Sequence, residues 1–122
     1  MKYPELERLV DIIAVLRSEH GCQWDREQTH KSLRPNMLEE AYEAVDAIDD
    51  GDIANLREEL GDVLLQVVLH AQIAKDEGDF DIEDVLERTV VNMLIYFDVE
   101  IVSKCCPMSV EELIELKKKY EL

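Results

Sequence analysis

Two short segments carry the side chains with the clearest chemical use: Glu39-Glu40-Ala41-Tyr42-Glu43 and Glu58-Glu59-Leu60-Gly61-Asp62. On a helix, residues three or four apart share a face. Glu39, Glu40 and Glu43 therefore project together from one helix, and Glu59 and Asp62 from the next. A short turn at Gly51 makes the two helices antiparallel neighbours, so that four or five carboxylates can converge. Such a hard, all-oxygen donor set suits Mg²⁺ or Mn²⁺ better than zinc or copper.

The plainer alternative is a solvated acidic face. On the first of these helices Glu39, Glu43, Asp46 and Asp50 form one stripe, with Leu38, Ala41, Val45 and Ile48 on the other side, as on any amphipathic surface helix. The next helix is different. Leu60, Val63, Leu64, Leu65, Val67, Val68, Leu69, Ala71 and Ile73 leave hardly any side without apolar groups, so it is expected to be buried by the fold or by another subunit. Along it Glu59, Asp62, Gln66 and His70 make a narrow polar stripe, and ionised carboxylates avoid burial unless paired or bound to metal. Gly61, which costs about 1 kcal/mol in a helix interior, hints at a close approach by a neighbour or ligand.

The elements that must position these groups are helices. Leu6, Leu9, Val10, Ile13 and Leu16 recur at helical spacing over Tyr3 to Glu19, and Gly21 is the expected stop. A second helix begins between Thr29 and Pro35, with Pro35 in its first turn, and runs to about Asp49. Asp52 caps a third that runs to about Glu77 and ends at Gly78. Asp81 caps a fourth from Ile82 to about Val102. After a break at Cys105-Cys106-Pro107, the capping box Ser109-Val110-Glu111-Glu112 opens a short helix ending in Lys117-Lys118-Lys119. The expected architecture is all-α: a four-helix-bundle-like core plus a short C-terminal helix.

Composition agrees. With 122 residues, the chain is expected to be one domain, residues 1–122. Its 29 acidic and 13 basic residues give a net charge of −16, which repels phosphate backbones and anionic lipid headgroups and argues against nucleic acid or membrane as partners. A hydrophobic content of 47% excludes disorder, and 4 Gly with 3 Pro leave little turn chemistry for a many-stranded fold. Met1-Lys2-Tyr3-Pro4-Glu5 leads into a charged amphipathic stretch with no signal-peptide core, and no apolar run approaches the ~20 residues that span a bilayer. Cys22, Cys105 and Cys106, odd in number and partly vicinal, read as reduced thiols in a cytoplasmic protein. A zinc site joining them to His20 matches no standard ligand spacing.

Beyond the carboxylates, Cys22-Gln23-Trp24-Asp25-Arg26-Glu27-Gln28-Thr29-His30, Ser32-Leu33-Arg34-Pro35, Leu38-Glu39-Glu40-Ala41-Tyr42-Glu43 and the run from Arg57 to Val68 resemble the MazG-type nucleoside triphosphate pyrophosphohydrolases over roughly residues 5–91. The resemblance implies an all-α fold completed by assembly into homodimers or homotetramers, and Mg²⁺-dependent cleavage of a nucleoside triphosphate to monophosphate and pyrophosphate, with Mn²⁺ as a possible substitute. By position Glu40, Glu43, Glu59 and Asp62 look like the metal ligands, and Glu39 like an auxiliary ligand or the group that orients the attacking water. Trp24 then reads either as a neighbour of the nucleotide base or as a plug closing one bundle end. Lys31 and Arg34 read as phosphate contacts or ordinary surface charge. His30 and His70 read as structural hydrogen-bonding residues, and Tyr42 and Met37 as core. The chain departs from the family at Asn92–Glu100, where many relatives carry a basic stretch and this one has no basic residue. That segment looks like continued helix with a core or subunit-interface face.

Two other classes remain. A di-iron carboxylate bundle needs Glu-x-x-His on two helices, and only Glu27-x-x-His30, in a loop, offers it. A non-catalytic binding module on the same scaffold is the alternative to an enzyme.

Overall fold

In the computed structural model, which describes residues 2–94, 98–105 and 108–120, every element is a helix. The chain divides into two compact units, Met1–Ile82 and Glu83–Leu122.

The first unit holds α1 (Pro4–Leu16), α2 (Gln23–Glu27), α3 (Arg34–Asp49) and α4 (Ile53–Glu77). Its core is Ile13 of α1, Leu33 just before α3, and Val68, Leu69 and Ile73 of α4. α1 and α3 both pack on α4. The local signals act where expected. Pro35 sits in the first turn of α3. The Asn55 N–H donates to Asp52 Oδ1 at 3.1 Å to cap α4, and Gly78 closes it in the left-handed region at φ 80°. Gly51, at φ 67°, makes the turn between α3 and α4.

α1 is shorter than expected, ending at Leu16 instead of Glu19, and Gly21 serves a different purpose from a left-handed stop. The chain folds tightly back, with Cys22 N–H donating to Leu16 O at 2.7 Å. A Cβ on Gly21 would lie 2.2 Å from Val15 O and 2.3 Å from Leu16 O. The following segment, expected as a plain break, contains the short helix α2. Arg17, its side chain only 8% exposed, holds this segment down. Its guanidinium donates to Asp25 O and Gln28 O and pairs with Asp76 of α4 at 3.1 Å.

The largest departure concerns which side of α3 faces in. Ala44 and Ala47 are its buried residues and lie against α4, while Leu38, Tyr42, Val45 and Ile48 are exposed. Tyr42, expected in the core, is 69% exposed. Glu40 and Glu43 precede Ala44 and Ala47 by four residues each, so they share that inward face. α4 likewise buries only its C-terminal half, from Gln66 through Val68, Leu69 and Ala71–Ala74, leaving Leu60 and Leu64 exposed.

Gly61 is not at a close approach: an added Cβ would meet no described atom within 4 Å. Gly61→Ala is therefore expected to raise the stability of the chain by about 1 kcal/mol, the helix-propensity difference. A higher thermal midpoint in calorimetry checks it, and a lower one would show that something else needs the gap.

The second unit comprises α5 (Ile82–Met93) from Glu83 onward, α6 (Val99–Cys105) and α7 (Val110–Lys119). The helix expected to run from Ile82 to Val102 stops at Met93, so Asn92–Glu100 is not continuous helix; residues 95–97 lie outside the described ones. The expected break at Cys106-Pro107 also lies outside them. The Glu112 N–H donates to Ser109 Oγ at 3.1 Å, as the capping box requires. Lys119 Nζ and Tyr120 OH both reach Glu87 Oε1, at 2.6 and 3.0 Å. Val91, Leu94, Leu113 and Leu116 are buried.

Candidate metal centre

The α3–α4 hairpin brings one oxygen from each of Glu40, Glu43, Glu59 and Asp62 within 4.8 Å of one another. The spacing explains why. Glu40 and Glu43 are one turn apart on α3, Glu59 and Asp62 one turn apart on α4, and the turn at Gly51 sets the pairs level. Glu40, Glu43 and Glu59 are half-buried and Asp62 is exposed.

Four carboxylates this close repel one another, and the titration behaviour shows it. Shielding from water raises the Glu40 carboxyl above its ordinary value, and the charges of Glu43, Asp62 and Glu39 raise it further. Glu59 is pushed up to about 7, by the same shielding first and then by hydrogen bonding and repulsion from Glu43, with Asp62 and Glu40 adding to it. Glu40 Oε2 and Glu59 Oε2 are enclosed with no hydrogen-bond partner. Enclosed, unpartnered anionic oxygens are what a hard divalent cation satisfies, so this donor set fits one.

A stability consequence follows. Because the Glu59 pKa is higher in the folded chain than the ordinary 4.5, the folded state binds the proton more tightly. The metal-free chain therefore loses stability as pH rises from about 4.5 through 7. A cation that replaces the proton reverses the loss. Added Mn²⁺ is expected to raise the melting midpoint clearly at pH 8 and little at pH 5, with Glu59→Gln flattening the dependence. Equal shifts at both pH values would refute it.

The other candidate residues are placed less centrally. Glu39 is exposed beside the cluster, close enough for its charge to act on Glu40. Trp24, in α2, is 55% exposed, so it is not a buried plug. Lys31 and Arg34 are exposed and make no ion pair with any described residue; Arg34 opens α3. Met37 is half-buried. His30 and His70 meet Nδ1 to Nδ1 at 2.8 Å. Their centroids are 5.0 Å apart and their planes 6° from parallel, so the ring edges meet and one N–H bridges them. Burial lowers the His70 pKa, and the neighbouring His30 lowers it further. Cys22 and Cys105 are free thiols.

Two residues received no role from the sequence. Arg17 lacked a local signal, because its partners lie 8, 11 and 59 positions away. Gln66 was visible as part of the α4 polar stripe, and it is buried with its Oε1 unpartnered.

A helical hairpin that sets two carboxylates of each arm around a shared centre defines a helical, hard-cation type of site. Residues 28–93 match the MazG nucleotide pyrophosphohydrolase domain, and the chain belongs to that family. It is 57% identical over 89 residues to the nucleoside triphosphate pyrophosphohydrolase/pyrophosphatase MazG of Thermotoga maritima, covering 73% of this chain and 34% of that one. It is 50% identical over 82 residues to the nucleoside triphosphate pyrophosphohydrolase of Escherichia coli K12, covering 66% and 31%. With the corresponding protein of Mycobacterium tuberculosis it shares 50% over 84 residues, covering 66% and 26%. The chain thus spans about a third or less of the length of these relatives.

Proposed function

We propose that the chain is a Mg²⁺-dependent nucleoside triphosphate pyrophosphohydrolase, converting a (d)NTP and water to the (d)NMP and pyrophosphate, with Mn²⁺ as a substitute ion. The observation that carries it is the clustering of Glu40, Glu43, Glu59 and Asp62 within 4.8 Å in a member of this family. These four hold the cation. When bound there, it neutralises the triphosphate, polarises the α-phosphate and acidifies a water. Glu39, exposed beside them, orients the attacking water and takes its proton. The water oxygen bonds to the α-phosphorus as the bond to the β-phosphate bridging oxygen breaks, releasing pyrophosphate. Trp24 offers an exposed ring to the base. Lys31 and Arg34 offer charge to the outer phosphates.

The test is incubation with a panel of (d)NTPs and Mg²⁺. Equal amounts of monophosphate and pyrophosphate are expected; orthophosphate release, or no turnover, would sink the assignment.

The protein works, in this reading, as a cytoplasmic homodimer or homotetramer without nucleic-acid or membrane partners. Supporting it are the exposed Leu38, Tyr42, Val45 and Ile48 of α3 with Leu60 and Leu64 of α4, the free thiols, and the net charge of −16. Among the described residues no helix is long and apolar enough to cross a membrane. Sedimentation equilibrium is expected to give a dimer or tetramer, dissociated by Val45→Glu; a monomeric wild type would refute it.

A further inference from the structure

The α4 polar stripe continues past the carboxylates. Gln66 lies four residues beyond Asp62 and seven beyond Glu59, which on a helix of 3.6 residues per turn places it between them in direction, about 6 Å further along the axis. It is 6% exposed, on a helix whose other fully buried positions in this half are, apart from Gln72, apolar. Gln72 has a use for its amide, donating Nε2–H to Asp76 Oδ1 at 2.9 Å. Gln66 has no such arrangement: its Oε1 is enclosed and has no hydrogen-bond partner among the described residues. Four residues further on, His70 is already satisfied by His30. Along the stripe, Gln66 Oε1 is therefore the enclosed acceptor left without a donor among the described residues.

Buried amide oxygens are paired in native proteins, and an unpaired one marks a place where the missing donor comes from elsewhere. A cation is a poor candidate for this oxygen, since Asp62, one turn away, and the three carboxylates clustered with it already offer charged ligands. The remaining component of a nucleoside triphosphate whose phosphates sit at the cluster is its nucleoside half. Resting on the pyrophosphohydrolase assignment above, we propose that Gln66 is a specificity residue whose Oε1 accepts a hydrogen bond from a donor on the nucleoside, either a ribose hydroxyl or a base amino group. A site built to pair a donor discriminates strongly against the analogue that lacks it, because the buried acceptor is then stranded.

The experiment is calorimetric binding, with Mg²⁺ present, of the non-hydrolysable α,β-imido analogue of ATP. Its 2′-deoxy, 3′-deoxy and inosine counterparts and inorganic tripolyphosphate are measured alongside, each against wild type and Gln66→Met, which keeps the volume and removes the acceptor. Wild type is expected to bind the parent analogue about tenfold or more tighter than one counterpart, the scale of one buried hydrogen bond. Gln66→Met should lose that preference and bind tripolyphosphate unchanged. Loss confined to a deoxy counterpart identifies a sugar hydroxyl; loss confined to inosine identifies the base amino group. The proposal is overturned if wild type binds all the nucleosides alike, or if Gln66→Met weakens tripolyphosphate as much as the nucleotides. The wild-type comparison stands even if the variant does not fold. Failure of the enzymatic assignment shows separately, as wild type that neither binds the parent analogue nor releases pyrophosphate, and the proposal falls with it.

Discussion

Glu43→Gln is expected to abolish metal-dependent turnover while making the metal-free chain more stable at pH 8. The two effects share one cause. Glu43 raises the pKa of both Glu40 and Glu59 through charge and hydrogen bonding, so its own negative charge is a burden on the folded, metal-free cluster. Glutamine keeps the shape and removes that repulsion. It also removes a charged donor from a four-carboxylate set, and since altering even a residue that only supports a metal ligand costs 10–100-fold, turnover should fall by more than about a hundredfold. Asp62→Asn should act the same way on turnover, with little risk to folding because Asp62 is exposed. Pyrophosphate release, together with thermal melts with and without Mn²⁺, reads both effects. A variant that is less stable without metal, yet still stabilised by it, would show that the four carboxylates are not a common site.

Gly21→Ala is expected to destabilise the chain by about 3 kcal/mol, with no direct effect on the carboxylates. The added Cβ would fall 2.2 to 2.5 Å from Val15 O, Leu16 O and Leu16 C, and backbone atoms have no rotamer through which to withdraw. Either the turn after α1 opens or the methyl group is not accommodated. Opening breaks the Cys22 N–H bond to Leu16 O and shifts the carbonyls of Asp25 and Gln28 away from Arg17, which then sits enclosed beside Asp76 with fewer partners. Urea unfolding should show a lower midpoint, and the contrast with Gly61→Ala is the control. The same substitution is expected to have opposite signs at two glycines, and the one whose sequence position suggested a close approach, Gly61, is the one with open space around it.

That contrast marks the limit of what the sequence discloses. Helix ends were legible where the cause is local: Asp52, Gly78, Pro35 and Ser109 act on backbone atoms within four residues. The carboxylate cluster was legible for a similar reason, since two one-turn spacings and one short loop suffice to bring four side chains together. The orientation of α3 was not. Periodicity reveals that a helix has two faces, yet which face turns inward depends on what the neighbour tolerates, and a hydrophobic stripe can be as well suited to another surface as to its own core. Tyr42, expected in the core, was misjudged on that account. The end of α5 at Met93 had no glycine or proline to announce it. Arg17 and Gln66 belong to the same group, since burial is a property of the assembled fold.

The placement of Ala44 and Ala47 against α4 bears on ion choice. Ionic radii of divalent metals differ by tenths of an ångström, and oxygen ligands sit near 2.0–2.1 Å for magnesium against about 2.3–2.6 Å for calcium. In the proposed site, the span between opposing carboxylates would follow the separation of α3 and α4, which the small buried side chains of Ala44 and Ala47 would help to set. Discrimination by size would thus be calibrated by side chains that never touch the ion, and an added carbon at either alanine would retune it without altering a single ligand.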